Sequence, residues 1–287
     1  MRVTIFGATG MLGKALMRQW RDDADADEVT GLGSAQADIR DSAQVENAIR
    51  QSKPDWIVLS AAYTDVDGCE LNPILASAVN TSGAVNVAQA AAKAGARLLF
   101  VSTDYVFDGT KSTPYETSDP RNPINAYGRS KADAEEKILN ILPDACIVRT
   151  SWLFGPGGKC FPDTILKLAA KLPEGEFATV VNDQRGCPTY TLDLADAIVA
   201  LCKSSARGII HCTNRGECSW FDFAVEIIAQ AGLKTVVRPT TSEKFVRPAP
   251  RPKYSVLSWA SLAQCGIEMR PWQQTLSSYL FERTQTT

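Results

Sequence analysis

An α/β fold built on a doubly wound parallel sheet is predicted by three features of the sequence. Short apolar runs alternate with helical patterns from the first residues onward. A glycine-rich turn separates the first run from the first helix. A segment rich in hydroxyls and carboxylates, Ser102-Thr103-Asp104, directly follows a strand-like run in mid-chain.

Residues 3–6 read as a buried strand and 11–20 as a helix. Residues 56–59 are a strand, and 76–93 carry one helical pattern. Residues 98–101 and 147–150 are further strands, the second preceded by a helix that Pro143 closes. Strand and helix in alternation argue for a parallel sheet covered on both faces. After Thr150 the pattern loosens. Residues 155–158 form a loop, 161–172 a helix, 179–181 a strand and 192–202 a helix. Ser219 and Asp222 are spaced as a capping box opening a helix to about residue 231. Residues 247–252, Arg-Pro-Ala-Pro-Arg-Pro, form a stiff loop with two cations.

The chain has 287 residues, enough for one large domain or two smaller ones. Residues 1–151, rejoined by about 183–212, are expected to form a dinucleotide-binding domain. Residues 152–182 and 213–287 are expected to form a smaller C-terminal α/β substrate domain. Hydrophobic residues make up 45% and charged residues 22%, with a net charge of -2. No global pull toward nucleic acid or anionic membrane follows, so an anionic ligand must be held by a local site. No apolar run is long enough to span a bilayer, and the first residues lack the apolar stretch of a signal peptide. The eight cysteines contain no C-x-x-C pair, and the single histidine cannot complete a Cys/His zinc set. Reduced, buried thiols in a cytoplasmic protein are expected. His211 is read as a satisfied histidine in the core or at a strand end.

Three parts of one site are legible. Gly7-Ala8-Thr9-Gly10-Met11-Leu12-Gly13 has the spacing G-x-x-G-x-x-G between the first strand and the first helix. Such a Rossmann-type turn lets backbone approach a pyrophosphate at a helix N-terminus. Residues 28–34, Glu-Val-Thr-Gly-Leu-Gly-Ser, carry no acid at the end of the second strand, where a ribose-binding carboxylate would stand. No arginine clearly replaces it; NADPH, or either cofactor, fits better than strict NADH use. Tyr127 and Lys131 are four residues apart, one turn on the same helix face. An ammonium beside a phenol favours the phenolate and makes a usable proton donor. A hydroxyl at Thr103 could hold the substrate oxygen that Tyr127 protonates.

In this order, G-x-x-G-x-x-G, S-T-D-Y-V-F-D-G and Y-G-x-S-K resemble the extended short-chain dehydrogenase/reductase superfamily. More narrowly, the chain is similar to the dTDP-4-dehydrorhamnose reductase family. The narrower likeness rests on residues 61–67 (AAYTDVD), 149–152 (RTSW), 182–189 (NDQRGCPT) and 251–257 (RPKYSVL). The resemblance implies Tyr127 as general acid, with Lys131 binding the nicotinamide ribose and lowering the tyrosine pKa. It implies that Thr103, Asp104 and Trp152 meet the sugar. Gly10, Met11 and Leu12 would lie on the pyrophosphate, Asp38 and Ile39 beside the adenine, and Ala62, Tyr63 and Thr64 along the cofactor. Arg251 would suit the diphosphate of a dTDP-sugar substrate. The implied reaction is hydride transfer from NAD(P)H to C4 of dTDP-4-dehydro-L-rhamnose.

Related dehydratases carry Thr-Asp-Glu, whereas Tyr105 follows Asp104 here, which favours carbonyl reduction over elimination. Some family members bridge two subunits through Mg²⁺. The matching positions are Ala15 and Tyr190, so no structural metal is expected, and the protein is expected to be a monomer or homodimer. Two other readings stay open: a reductase of another dTDP-4-keto-6-deoxyhexose, and a non-catalytic NADP-binding subunit similar to the beta subunit of methionine adenosyltransferase.

Overall fold

The computed structural model describes residues 1–22, 28–173, 176–204 and 206–285. Its strands are β1 (Arg2–Phe6), β2 (Glu28–Leu32), β3 (Trp56–Leu59), β4 (Arg97–Thr103), β5 (Cys146–Thr150), β6 (Leu153–Phe154), β7 (Phe177–Val181), β8 (Arg185–Gly186), β9 (Thr189–Tyr190), β10 (Gly208–His211), β11 (Cys218–Ser219) and β12 (Val236–Thr240). The α-helices are α1 (Met11–Asp22), α2 (Ser42–Ser52), α3 (Val66–Leu71), α4 (Pro73–Ala76), α5 (Ala84–Ala94), α6 (Ala126–Ile141), α7 (Phe161–Ala169), α8 (Thr191–Lys203), α9 (Trp220–Gln230), α10 (Ala260–Ala263) and α11 (Trp272–Gln285).

Six strands form one parallel sheet in the order β10-β5-β4-β3-β1-β2. Every residue of β3 and β5 is buried, as strands covered on both faces require. One face packs against α1 and α8 through Leu16, Trp20, Leu194 and Ile198. The other packs against α2, α5 and α6 through Val45, Val87, Ala91 and Ile138. Strand order reverses between β1 and β3. That switch point, at the carboxyl ends of the strands, is where an open α/β sheet leaves a ligand crevice.

The remaining strands pair in twos: β8 with β11, β7 with β12, and β6 with β9. Together with α7, α9 and α11 they enclose an aromatic core of Phe154, Phe223, Trp272 and Tyr279. The Ser219–Asp222 capping box is present: Asp222 N donates to Ser219 Oγ at 3.0 Å, and Ser219 N to Asp222 Oδ2 at 2.9 Å. The helix expected over 161–172 ends at Ala169. The single helix expected over 76–93 is instead α4, a π-helical segment Ser77–Gly83, and α5. All eight cysteines are free thiols. Among the described residues no helix is long and apolar enough to cross a membrane.

Two consequences are testable. A Cβ on Gly13 would stand 2.1 Å from the Gly7 carbonyl oxygen and 2.6 Å from Ala8 Cα, both backbone atoms that cannot swing aside. Gly13→Ala should therefore destabilise the protein by about 1–3 kcal/mol through overpacking, read as a lowered urea midpoint. The histidine at the end of β10 lies in the core, but only half satisfied: Nε2 is 3.4 Å from an Arg149 nitrogen, while Nδ1 meets no partner among the described residues. Burial, then the neighbouring guanidinium, push its pKa down to about 3. The folded value lies below the unfolded one, so this group's contribution to stability is full above about pH 6.5 and is lost as pH falls toward 3. Since the chain has one histidine, its lone imidazole NMR signal should not titrate between about pH 8 and pH 5 in the folded protein.

Candidate active site

A cavity of about 430 Å³ opens at the switch point. Its first wall is the turn between β1 and α1, with Gly7, Gly10, Met11, Leu12 and Gly13. Ser60, Ala62 and Thr64 follow from the end of β3, and Ser102, Thr103, Asp104 and Tyr105 from the end of β4. Tyr127 and Lys131 reach in from α6. Trp152, Lys159 and Trp220 close the opposite side.

The start of α6 is fixed by three contacts. Asn125 accepts from Gly128 N at 2.8 Å and donates to the Pro250 carbonyl at 2.9 Å. Glu70 accepts from Ala126 N at 2.7 Å. These satisfy amides that a helix start leaves open. Gly128 lets the helix close on the β4 end: a Cβ there would lie 2.1 Å from the Tyr105 carbonyl oxygen. Tyr127 is thereby set beside Tyr105, ring centroids 6.1 Å apart and edge to face.

Lys131 is fully buried. Its Nζ donates to the Val101 carbonyl at 2.7 Å and sits 3.8 Å from the centre of the Phe100 ring. Burial lowers its pKa to about 7, against a countering pull from Glu135. The expected lowering of the Tyr127 pKa by Lys131 is not what the geometry gives. Burial raises the phenol's pKa above its usual value, and the opposing influence is a hydrogen bond with Thr103. The ammonium donates to the Val101 carbonyl. Asp104 is also buried: it accepts from Ser255 Oγ at 2.5 Å and Thr103 Oγ1 at 3.0 Å, and burial raises its pKa to about 7.

Trp152 adopts φ +47°, a left-handed backbone conformation unusual for a bulky residue and common where a side chain is forced toward a ligand. Its ring stacks on Trp220 at 3.6 Å with planes 7° apart. Trp220 is the first residue of α9, placed by the capping box, and its ring leans on Phe161 at 4.5 Å.

Four of the sequence candidates do not line this cavity. Asp38 grips Arg40, with Oδ2 2.5 Å from a guanidinium nitrogen, and Ile39 is buried with its carbonyl on Asn86. Tyr63 lies between two lining residues, but Asn80 holds its backbone on both sides: Tyr63 N donates to Oδ1 at 2.7 Å, and Nδ2 donates to Tyr63 O at 3.0 Å. Arg251 is paired with Asp67 at 2.5 Å, and Arg247 with the same carboxylate at 2.7 Å. These cations hold the Asp67 pKa near 2. Arg251 also donates to the Ala249 carbonyl at 2.6 Å, which keeps it within its own loop. Ala15 is buried under the sheet, and the Tyr190 hydroxyl donates to Glu282 at 2.7 Å.

Several residues around the site escaped the sequence reading. Asn80, in the π-helical segment, also donates to Ser130 Oγ at 3.0 Å and so ties the segment after β3 to α6. π-helical turns favour such functional positions. Tyr105, Lys159 and Trp220 line the cavity, and Glu135 and Arg149 lie buried beneath it. Glu135 was the one with a local signal, because it stands one helical turn beyond Lys131 on the same face.

The glycine turn, with its bare backbone at a helix N-terminus, and the buried cation of Lys131 fit a dinucleotide phosphate and ribose. Comparison with known proteins places the chain further. The family model described as the RmlD substrate binding domain matches residues 1–285. The spore coat polysaccharide biosynthesis protein SpsK of Bacillus subtilis is 41% identical over 283 residues, covering 99% of this chain and 98% of that protein. The dTDP-4-dehydrorhamnose reductase of Mycobacterium tuberculosis is 41% identical, covering 97% and 92%. The crystal structure of the Bacillus anthracis dTDP-4-dehydrorhamnose reductase in complex with NADP superimposes with a TM-score of 0.93 at 38% identity, covering 98% and 99%. Matched from end to end, this chain belongs to the RmlD substrate binding domain family.

Proposed function

We propose that the protein reduces the C4 keto group of dTDP-4-dehydro-L-rhamnose with NADPH, giving dTDP-L-rhamnose. The observation that carries this reading is the convergence of a neutral phenol, a hydroxyl and a buried ammonium on one cavity beside the glycine turn. The relatives named as dTDP-4-dehydrorhamnose reductases, one of them with NADP bound, support the substrate and the cofactor.

When bound, the nicotinamide supplies the hydride; the chain's own residues supply placement and a proton. Gly10, Met11 and Leu12 receive the pyrophosphate against the start of α1, and Lys131 holds the ribose. Ala62, Tyr63 and Thr64 run along the cofactor, with Asp38 and Ile39 toward its adenine end. Thr103 Oγ1 holds the C4 oxygen, and the Tyr127 hydroxyl donates its proton as negative charge develops there. Because burial keeps the phenol protonated at neutral pH, Tyr127 starts in the form an acid needs. Asp104 meets the sugar hydroxyls, and the stacked Trp152 gives the sugar an apolar face. Arg251 meets the diphosphate by exchanging Asp67 for it.

Residues 1–151 with 183–212 serve the cofactor in this reading, and 152–182 with 213–287 serve the sugar nucleotide. The enzyme works in the cytoplasm, as monomer or homodimer.

Oxidation of NADPH with dTDP-4-dehydro-L-rhamnose generated in situ should be readily measured at 340 nm. No turnover with any dTDP-4-keto sugar, despite NADPH binding, would instead favour a regulatory subunit. Tyr127→Phe should lower kcat by about 10²–10⁴-fold, the usual worth of a general acid, with NADPH affinity nearly unchanged. An unaltered kcat would remove Tyr127 from the acid role.

A further inference from the structure

Beneath the cavity lies a polar cluster that none of the roles above uses. Glu135 and Arg149 are almost completely buried and form a two-armed pair. Arg149 Nε donates to Glu135 Oε1 at 2.9 Å, and a terminal nitrogen donates to Oε2 at 2.7 Å. Ser102 Oγ adds a third bond to Glu135 Oε1 at 2.5 Å. Three elements meet at this one carboxylate: α6 and the carboxyl ends of β4 and β5. A buried ion pair of this kind brings little net stability, because desolvating both charges offsets their attraction. Its placement therefore calls for another reason.

That reason lies one helical turn away. Lys131 and Glu135 share a face of α6. Both grip the same strand end, Lys131 through the Val101 carbonyl and Glu135 through the Ser102 hydroxyl. We propose that Glu135 is a positioning residue for the reductase site: its carboxylate, locked by Arg149 and Ser102, compensates the buried Lys131 ammonium and fixes the end of β4 that carries Thr103. This rests on the reading of Lys131 as a cofactor-binding group.

The charges around the pair are few. On α6 Lys131 has Glu135 one turn further on and Tyr127 one turn before; from β4 it meets the Val101 carbonyl and the Phe100 ring. Glu135 faces Arg149 from β5 and Arg121, 3.7 Å away, from the loop before α6. His211 of β10 stands behind Arg149 and is neutral. Burial disfavours a charged Lys131, and Glu135 is the charge that counters it. Without Glu135, Lys131 should lose its proton at lower pH, and Arg149 would stay behind as an uncompensated cation.

The test is NADPH affinity and kcat/KM as functions of pH for the whole protein. Glu135→Gln should move the alkaline limb of both profiles at least one unit toward lower pH, about a tenfold loss above both limbs. Glu135→Asp, which keeps the charge, should restore most of the limb. A folded Glu135→Gln protein with an unmoved limb would overturn the proposal. If Glu135→Gln alone does not fold, Glu135→Gln with Arg149→Met removes both members of the ion pair and so avoids stranding the Arg149 cation. A smaller downward shift is expected there, because the Arg149 cation leaves together with the carboxylate; a wild-type limb in that double variant would still overturn the proposal. Wild-type protein that neither binds NADPH nor turns over would refute the reading of the site itself. Active wild type with unmoved variants would refute the role of Glu135 alone.

Discussion

The carboxyl end of β4 is the point on which the site depends. Four consecutive residues there are held by four different partners. Val101 O accepts from Lys131, Ser102 donates to Glu135, Thr103 pairs with Thr150 in the sheet, and Asp104 accepts from Ser255. The first two partners lie on α6 and the third on β5. The fourth lies 151 residues further along the chain. A strand end would ordinarily fray into a loop. Here each of the four residues is tied to another part of the fold, which fixes the strand end that carries the Thr103 hydroxyl. Catalysis of proton transfer demands that kind of fixed geometry before it demands any particular pKa.

The same burial that fixes the geometry sets the protonation states. Desolvation raises the phenol of Tyr127 and the carboxyl of Asp104, and lowers the ammonium of Lys131. All three shifts favour the neutral form, as removal from water must. A tyrosine that stays protonated serves reduction, whose last step gives a proton away. The reverse reaction would need the phenolate, and there a charged Lys131 matters more. Its ionisation then becomes the sensitive quantity, set by burial and countered by Glu135.

How much of this could be read in the sequence depended on the range of the interaction involved. The glycine turn, the Tyr127/Lys131 spacing and the Ser219 capping box are local patterns, decided within about a helical turn, and all three appear as read. The alternation of strands and helices gave the parallel sheet for the same reason. The break of the 76–93 helix into a π-helical segment was not legible; within it Asn80 bonds Tyr63 and Ser130, 17 and 50 residues away, contacts that no local pattern announces. Arg251 was read as a cation suited to a diphosphate, and no local pattern announces that Asp67, 184 residues earlier, pairs with it. The effect of Lys131 on Tyr127 was read from proximity on one helix face. Which way the ammonium turns, and how much water is lost around the phenol, are properties of the assembled core.

The aromatic wall illustrates how the two halves of the chain complete one site. Trp152 leaves β5 in a left-handed conformation that costs energy of order 1–3 kcal/mol and persists only if its surroundings over-determine it. Those surroundings come from the second aromatic core. Trp220 stacks on the ring, and Phe161 and Phe223 back Trp220 in turn. Phe223 then meets Trp272 and Phe154, so the strain at Trp152 is carried by the packing of α7, α9 and α11. The sheet with α1 and α6 thus provides the glycine turn and the Tyr127 phenol, while the aromatic core provides Trp152 and Trp220 to the same cavity. Neither is a site alone, since the cavity takes its lining from both. A change in the sugar that is accepted would therefore be sought first in the packing behind Trp152, where side-chain volume can alter the wall without disturbing the acid.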